Sequence, residues 1–174
     1  MNWSIKKLDN FYNTELGIKT KQTVQKEISK LISETNKINY TIGFFGYNIT
    51  SNNTTNSSKD LYDFIISAHC EETGHCFKEL TDFCQHNLKK DGYCILLTPN
   101  GNHEWKDNKT PFARFRTYKN IKALKMLNFK IIKKKPILYM TSEDNFIKRI
   151  FHKLFHFILP CKAAAHLIMA RRFN

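Results

Sequence analysis

No window of the sequence approaches the roughly 18 uninterrupted apolar residues that a membrane-crossing helix needs, so no transmembrane segment is expected. The opening MNWSIKKLDNFY lacks the apolar stretch of a secretory signal. Five cysteines (Cys70, Cys76, Cys84, Cys94 and Cys161) form an odd, unpatterned set, which fits a reducing cytoplasmic compartment better than a disulfide framework. No two of them show C-x2-C spacing. His69, Cys70, His75, Cys76, Cys84 and His86 invite a zinc reading, but without that spacing, and with Cys76 and Cys84 sharing a helix face with Leu80, core thiols are the reading and no metal is expected. Internal repeats and long linkers are also missing, so residues 1–174 are read as one domain.

Acidic residues are few, at 15 against 28 lysines and arginines, giving a formal net charge of +13. Such a balance invites an anionic partner. Lysine outnumbers arginine 23 to 5, and asparagine (17) and isoleucine (18) are abundant too. All three residue types share AT-rich codons, so nucleotide bias accounts for part of the charge. Hydrophobic residues make up 41% of the chain, which is enough for a packed core.

Apolar spacing predicts a helix from Ile18 to Ser33, after a polar lead over residues 1–16. A β-rich run, Ile38 to Tyr47, carries Gly43 and Gly46. Residues 48–59 are nearly pure Asn, Ser and Thr and read as a loop. Leu61–Ser67 reads as a buried strand, 75–89 as a helix with Cys76 on its core side, and Lys89-Lys90-Asp91-Gly92 as its stop. Tyr93–Thr98 is a third strand, followed by a polar loop from Pro99 to Arg116. A helix over 118–127, strands at Phe129–Ile132 and Pro136–Met140 around a lysine turn, an amphipathic helix over 144–159 and a short strand near 165–171 complete the chain. This alternation implies an α/β fold with a mostly parallel sheet flanked by helices.

The residues in that order resemble class I S-adenosylmethionine-dependent methyltransferases, specifically a bacterial group of the type 11 methyltransferase class. Leu8-Asp9-Asn10-Phe11-Tyr12 through Leu16-Gly17 resembles the group's opening. Ile42–Tyr47 resembles its glycine motif, Asp63 and His69-Cys70-Glu71-Glu72 its fourth strand and the end of that strand. Leu88–Gly92 resembles the turn before strand five. Pro99-Asn100, Trp105, Thr110-Pro111-Phe112 and Tyr118 fall where the group carries like residues.

The resemblance implies a reduced Rossmann-like sheet. The family order 3-2-1-4-5-7-6 would shorten here to 1-4-5-7-6, with the last strand antiparallel. Only 14 residues, Tyr47 to Asp60, separate Gly46 from Leu61. Each β-α-β unit takes about 30 residues. The loop over 48–60 therefore replaces the family's second and third βα units, which supply the ribose-binding acid and the adenine contacts. Fourteen extended residues reach roughly 46 Å, enough to return along the sheet.

What the resemblance implies of function is methyl transfer from S-adenosylmethionine, weakened or lost with the shortened cofactor half. It assigns cofactor contacts to Gly43, Phe44, Gly46 and Tyr47 and acceptor contacts to Asn100, Trp105 and Tyr118. His69 and Glu72 are candidates for acid–base work. Ordinary readings stand beside these: a tight turn at the glycines, solvated polar groups at His69 and Glu72, and a loop anchor at Trp105. The other functional reading is a non-catalytic basic module for RNA, a membrane surface or a protein partner, acting through Lys148, Arg149 and Lys153 on the helix over 144–159.

Overall fold

The computed structural model describes residues 3–49, 61–70, 73–100, 110–112, 117–126, 128–138 and 163–172, with the backbone alone at Thr117 and Tyr118. The expected loop over 48–60 from residue 50 onward, the helix over 144–159 with Lys148, Arg149 and Lys153, and the site candidates Glu72 and Trp105 lie outside these residues.

The lead of the chain is helical rather than irregular. Helix α1 spans Ile5–Tyr12, with the Ser4 hydroxyl accepting from the Lys7 N–H at 3.2 Å. Its buried residues, Leu8, Phe11 and Tyr12, follow helical i, i+3, i+4 spacing. Two turns carry too few repeats for the pattern to stand out in the sequence. Thr14 then caps helix α2, Glu15–Ser33, accepting from the Gly17 N–H at 3.0 Å. Glu15 in its first turn and Lys30 in its last complement the helix dipole.

Among the described residues five strands form one sheet: β1 (Ile42–Gly46), β2 (Tyr62–Ala68), β3 (Leu88–Pro99), β4 (Phe129–Ile137) and β5 (Ala165–Arg172). The spatial order is β1-β2-β3-β5-β4. β1, β2 and β3 are parallel, while β5 runs antiparallel to both β3 and β4. Helices α3 (Phe77–Asn87) and α4 (Thr117–Met126) follow β2 and β3.

Period-two alternation divides the core. Phe64, Ile66, Ile95, Leu97, Leu167 and Met169 meet Leu8, Val24, Ile28 and Leu31 of α1 and α2. Ile65, Cys94, Leu96, Ile168 and Ala170 meet Leu80 and Cys84 of α3 and Leu124 of α4 on the opposite face. Full burial of one such aliphatic side chain contributes about 1.5–3 kcal/mol. Both faces of β2, β3 and β5 are covered, which explains their near-continuous apolar runs.

Three details differ from the sequence expectations. Lys89–Gly92 is an excursion inside β3, since Tyr62 pairs with Leu88 and Phe64 already pairs with Tyr93. Asp91 adopts a φ of 64° there, so the residues that looked like a helix stop make a turn within the ladder. Second, the lysine run does not turn the chain. Phe129–Ile137 is one strand with a register shift between Ile131 and Lys133. Among the described residues β4 is a sheet edge, where Pro136 is tolerated because its missing N–H breaks no ladder bond. Third, Cys76 is exposed and caps α3. Its sulfur accepts from the Glu79 N–H at 3.4 Å while the Glu79 carboxylate accepts from the Cys76 N–H at 3.2 Å. Among the described residues no helix is long and apolar enough to cross a membrane.

Candidate functional site

Three parallel strands end on one edge of the sheet, and the next residues are Tyr47, His69 and Asn100. The antiparallel strand β5 begins at the same edge, which adds His166, opposite Thr98. Open α/β sheets place ligands at this edge, in the crevice where the strand order reverses. Among the described residues the parallel strands step in one direction, β1 to β2 to β3, with no such reversal.

His69 is 1% exposed and sits just after β2 at a φ of 54°, a left-handed conformation uncommon for a residue with a Cβ. Its carbonyl accepts from the Thr73 N–H at 3.0 Å and from the Thr73 hydroxyl at 2.8 Å, which holds the turn. Its Nε2 lies 2.6 Å from the hydroxyl oxygen of Tyr12, carried in from α1. Burial pushes the imidazole pKa down to about 3, so the ring is neutral at physiological pH. It is poorly suited to proton donation as an imidazolium.

Aromatic rings enclose this pair. Tyr47 stacks on Tyr12 with centroids 5.2 Å apart, and Phe112 lies 5.2 Å from the His69 ring. The Tyr47 hydroxyl donates to an Asp9 carboxylate oxygen at 3.0 Å. Partial burial and then that carboxylate push its pKa up to about 12, so Tyr47 stays protonated. Asp9, Tyr12 and Phe112 carry no site-specific pattern beyond the family resemblance. Asp9 and Tyr12 reach the site because α1 packs across the sheet end, and Phe112 is brought there by the segment 110–112, where its ring meets Phe11 and His69.

The two glycines meet protein on their open faces. A Cβ built on Gly43 falls 2.6 Å from the Tyr62 ring. At Gly46 it falls 2.7 Å from the Ala68 carbonyl oxygen and 3.1 Å from the Cys70 Cα. Gly46 also has a φ of +82°, so glycine is required there both for conformation and for the close approach of the turn after β2. The Tyr47 N–H donates to the same Ala68 carbonyl at 2.8 Å, closing β1 onto β2. Phe44 packs against the core on the α1–α2 side.

The side-chain amide of Asn100 donates to the Ala163 carbonyl at 2.9 Å, and its backbone N–H donates to the Ala164 carbonyl at 2.8 Å. Asn100 thus ties the end of β3 to the start of β5. Tyr118 lies in the first turn of α4. His166, which nothing in the sequence singled out, is 5% exposed. Burial, with Lys134 nearby, lowers its pKa to about 4.

Asp63 belongs to the other end of β2. It accepts from Lys37 at 3.0 Å, Lys89 at 2.8 Å and the Thr41 N–H at 3.0 Å. Burial alone would raise its pKa, but these donors outweigh it and hold the carboxyl well below the usual range. Among the described residues no three His, Cys, Asp or Glu side chains gather in an arrangement that would hold a metal ion.

No protein-family model matches the sequence. No curated protein matches it either. Among solved structures the chain is similar to the crystal structure of a SAM-dependent methyltransferase from Archaeoglobus fulgidus, at 13% identity and a TM-score of 0.40. The similarity covers 65% of this chain and 60% of that one, so this chain spans under two thirds of that protein's length.

Proposed function

We propose that the chain is a reduced methyltransferase-type domain that has given up cofactor-dependent turnover and serves as a binding module. The five strands are taken as equivalents of strands one, four, five, seven and six of the class I sheet. The placement of antiparallel β5 between β3 and β4 supports this reading.

One observation carries the loss of turnover. A cofactor approaches the glycine turn of such a sheet because a bare backbone face is free there. Here the Gly46 face meets Ala68 and Cys70, and the Gly43 face meets the Tyr62 ring. Tyr47 is held by stacking on Tyr12 and by Asp9. These contacts argue against a fit of S-adenosylmethionine to the residues assigned to it by resemblance. The charge of +13 favours an anionic partner.

Residual methyl transfer is the second reading, favoured by the exposure of Gly46 at the sheet end. Calorimetric titration with S-adenosylmethionine and S-adenosylhomocysteine separates the two. The expected result is no saturable heat up to about 1 mM ligand, the affinity of a barely formed site. A dissociation constant in the micromolar range for either compound would overturn the binding-module reading.

A further inference from the structure

From Asn108 to Ser142 the sequence contains no Asp or Glu. Within that stretch α4 presents Lys119, Lys122 and Lys125 to solvent, and β4, packed against α4, adds exposed Lys134. The β4 register sets Lys134 opposite Ile168, on the sheet face that α3 and α4 cover. The neighbouring lysines behave differently. Lys133 pairs with Glu34 at 2.6 Å and Lys135 pairs with Glu27, both glutamates being on or just after α2. On the α2 side of β4 the positive charge is thus neutralised within the protein. On the α4 side no ion pair joins Lys119, Lys122, Lys125 or Lys134 to another described residue. Lys134 also lowers the proton affinity of His166, as a local excess of positive charge does.

We infer that the α4–β4 ridge is a docking surface for the phosphate backbone of a nucleic acid. The three α4 lysines climb the helix in steps of about 4.5 Å, and each flexible ammonium acts as a point charge without the planar fork that reads base edges. Such a surface recognises spaced phosphates and is indifferent to sequence. An anionic membrane is the less suited partner. Interfacial helices insert an apolar face rich in Trp, Phe or Leu, whereas among its described side chains α4 keeps Leu124 in the core and offers Met126 alone as an exposed large apolar group. A solvated face that merely guards an edge strand would also be lysine-rich, but it predicts no saturable binding. The inference rests on the binding-module reading, and its test is independent of cofactor titration.

The test is fluorescence anisotropy of the intact chain with a labelled random duplex of about 20 base pairs, and with single-stranded RNA of that length, from about 50 to about 200 mM salt. Saturable binding with a steep salt dependence is expected. K119E/K122E/K125E should weaken it by about tenfold or more and flatten the log–log salt slope by roughly 2 to 3. K6E/K7E/K26E makes the same change in net charge on α1 and α2 and should retain most of the affinity. Equal losses in the two triple variants would assign the effect to overall charge and sink the proposal. So would the absence of nucleic-acid binding, or binding confined to phosphatidylserine vesicles. Circular dichroism checks the fold, and K119Q/K122Q/K125Q replaces the reversal variant if that variant is unfolded. Failure here with no cofactor heat rejects the ridge alone; cofactor binding rejects the module reading.

Discussion

The hydroxyl oxygen of Tyr12 and Nε2 of His69, 57 residues apart in sequence, lie 2.6 Å apart inside the protein. This contact joins α1 to the turn after β2 and fixes a neutral imidazole at the C-terminal edge of the parallel strands. Removing the hydroxyl in Tyr12→Phe leaves a buried imidazole nitrogen without that partner, which costs about 1–3 kcal/mol. A thermal melt should show a lower midpoint, by about 2–4 °C for each kcal/mol in a chain of this size.

The same pair sets an acid sensitivity. His69 has a folded pKa of about 3 against an unfolded value near 6.5. Between those values the unfolded chain binds more protons than the folded one, so stability falls as pH falls. The contribution is fully present above about pH 6.5 and is lost progressively toward pH 3. His166 acts in the same direction down to about pH 4. Chemical denaturation at a series of pH values should therefore show a decline beginning near pH 6.5. His69→Phe should flatten it, and a decline unchanged in that variant would reject the assignment.

Gly46→Ala and Gly43→Ala should separate two kinds of crowding. At Gly46 the added methyl meets the Ala68 backbone at 2.7 Å and the φ of +82° is itself unfavourable for alanine. The cost should be about 1–3 kcal/mol, because neither the strand end nor the turn can yield cheaply. At Gly43 the obstacle is the Tyr62 ring, half-buried near the sheet edge, which can rotate. Urea midpoints should rank wild type, then Gly43→Ala, then Gly46→Ala; the reverse order would mean that Tyr62 is the more rigid wall.

These particulars show what the sequence made legible. The strands around Phe64, Ile95 and Ile168 were readable because a run buried on both faces must be apolar throughout. The helix around Val24 and Ile28 was readable from its period. Helix α1 was missed because its two turns offer only Leu8, Phe11 and Tyr12. The Lys133–Lys135 run read as a turn because charge usually marks a loop, yet on an edge strand alternate lysines meet Glu34 and Glu27 on one side and solvent on the other. At the site, Tyr47 and His69 stood out by type and position. Asp9 and His166 did not, since their roles come from packing between segments remote in the chain. Asn100 was expected to face a ligand, but the hydrogen bond its side-chain amide donates to the Ala163 carbonyl arises from the return of β5, which no local pattern specifies.

Asp63 should act through stability alone. Its carboxylate joins Lys37 and Lys89 across 26 residues on either side, at the end of β2 remote from His69. Asp63→Asn keeps the shape and removes the charge, and hydrogen bonds to charged partners are worth about 1.5–3 kcal/mol when formed. Both lysines are partly exposed, so the loss should fall at or below the lower end of that range. Because the folded carboxyl titrates below its unfolded value, the benefit of Asp63 is present above about pH 4 and is lost as the pH falls further. The gap between wild type and Asp63→Asn should therefore be widest near neutrality and close in strong acid. A gap independent of pH would mean that shape rather than charge is what Asp63 supplies.

Cysteine reactivity should follow burial. Cys84 and Cys94 are each 1% exposed or less, with their sulfurs 3.6 Å apart between α3 and β3. The hydrogen bond shared with Cys84 and then burial raise the Cys94 pKa well above the ordinary thiol value, which keeps it from forming the reactive thiolate. Cys76, exposed at the start of α3, faces no such barrier of access. Brief treatment of the native chain with iodoacetamide, read by peptide mass spectrometry, should label Cys76 well ahead of Cys84 and Cys94. Labelling in denaturant should bring the three to similar rates. Rapid native labelling of Cys94 would show that the contact between α3 and the sheet opens on the timescale of the reaction, which the packing of Leu80, Cys84 and Leu88 against Ile65 and Leu96 argues against.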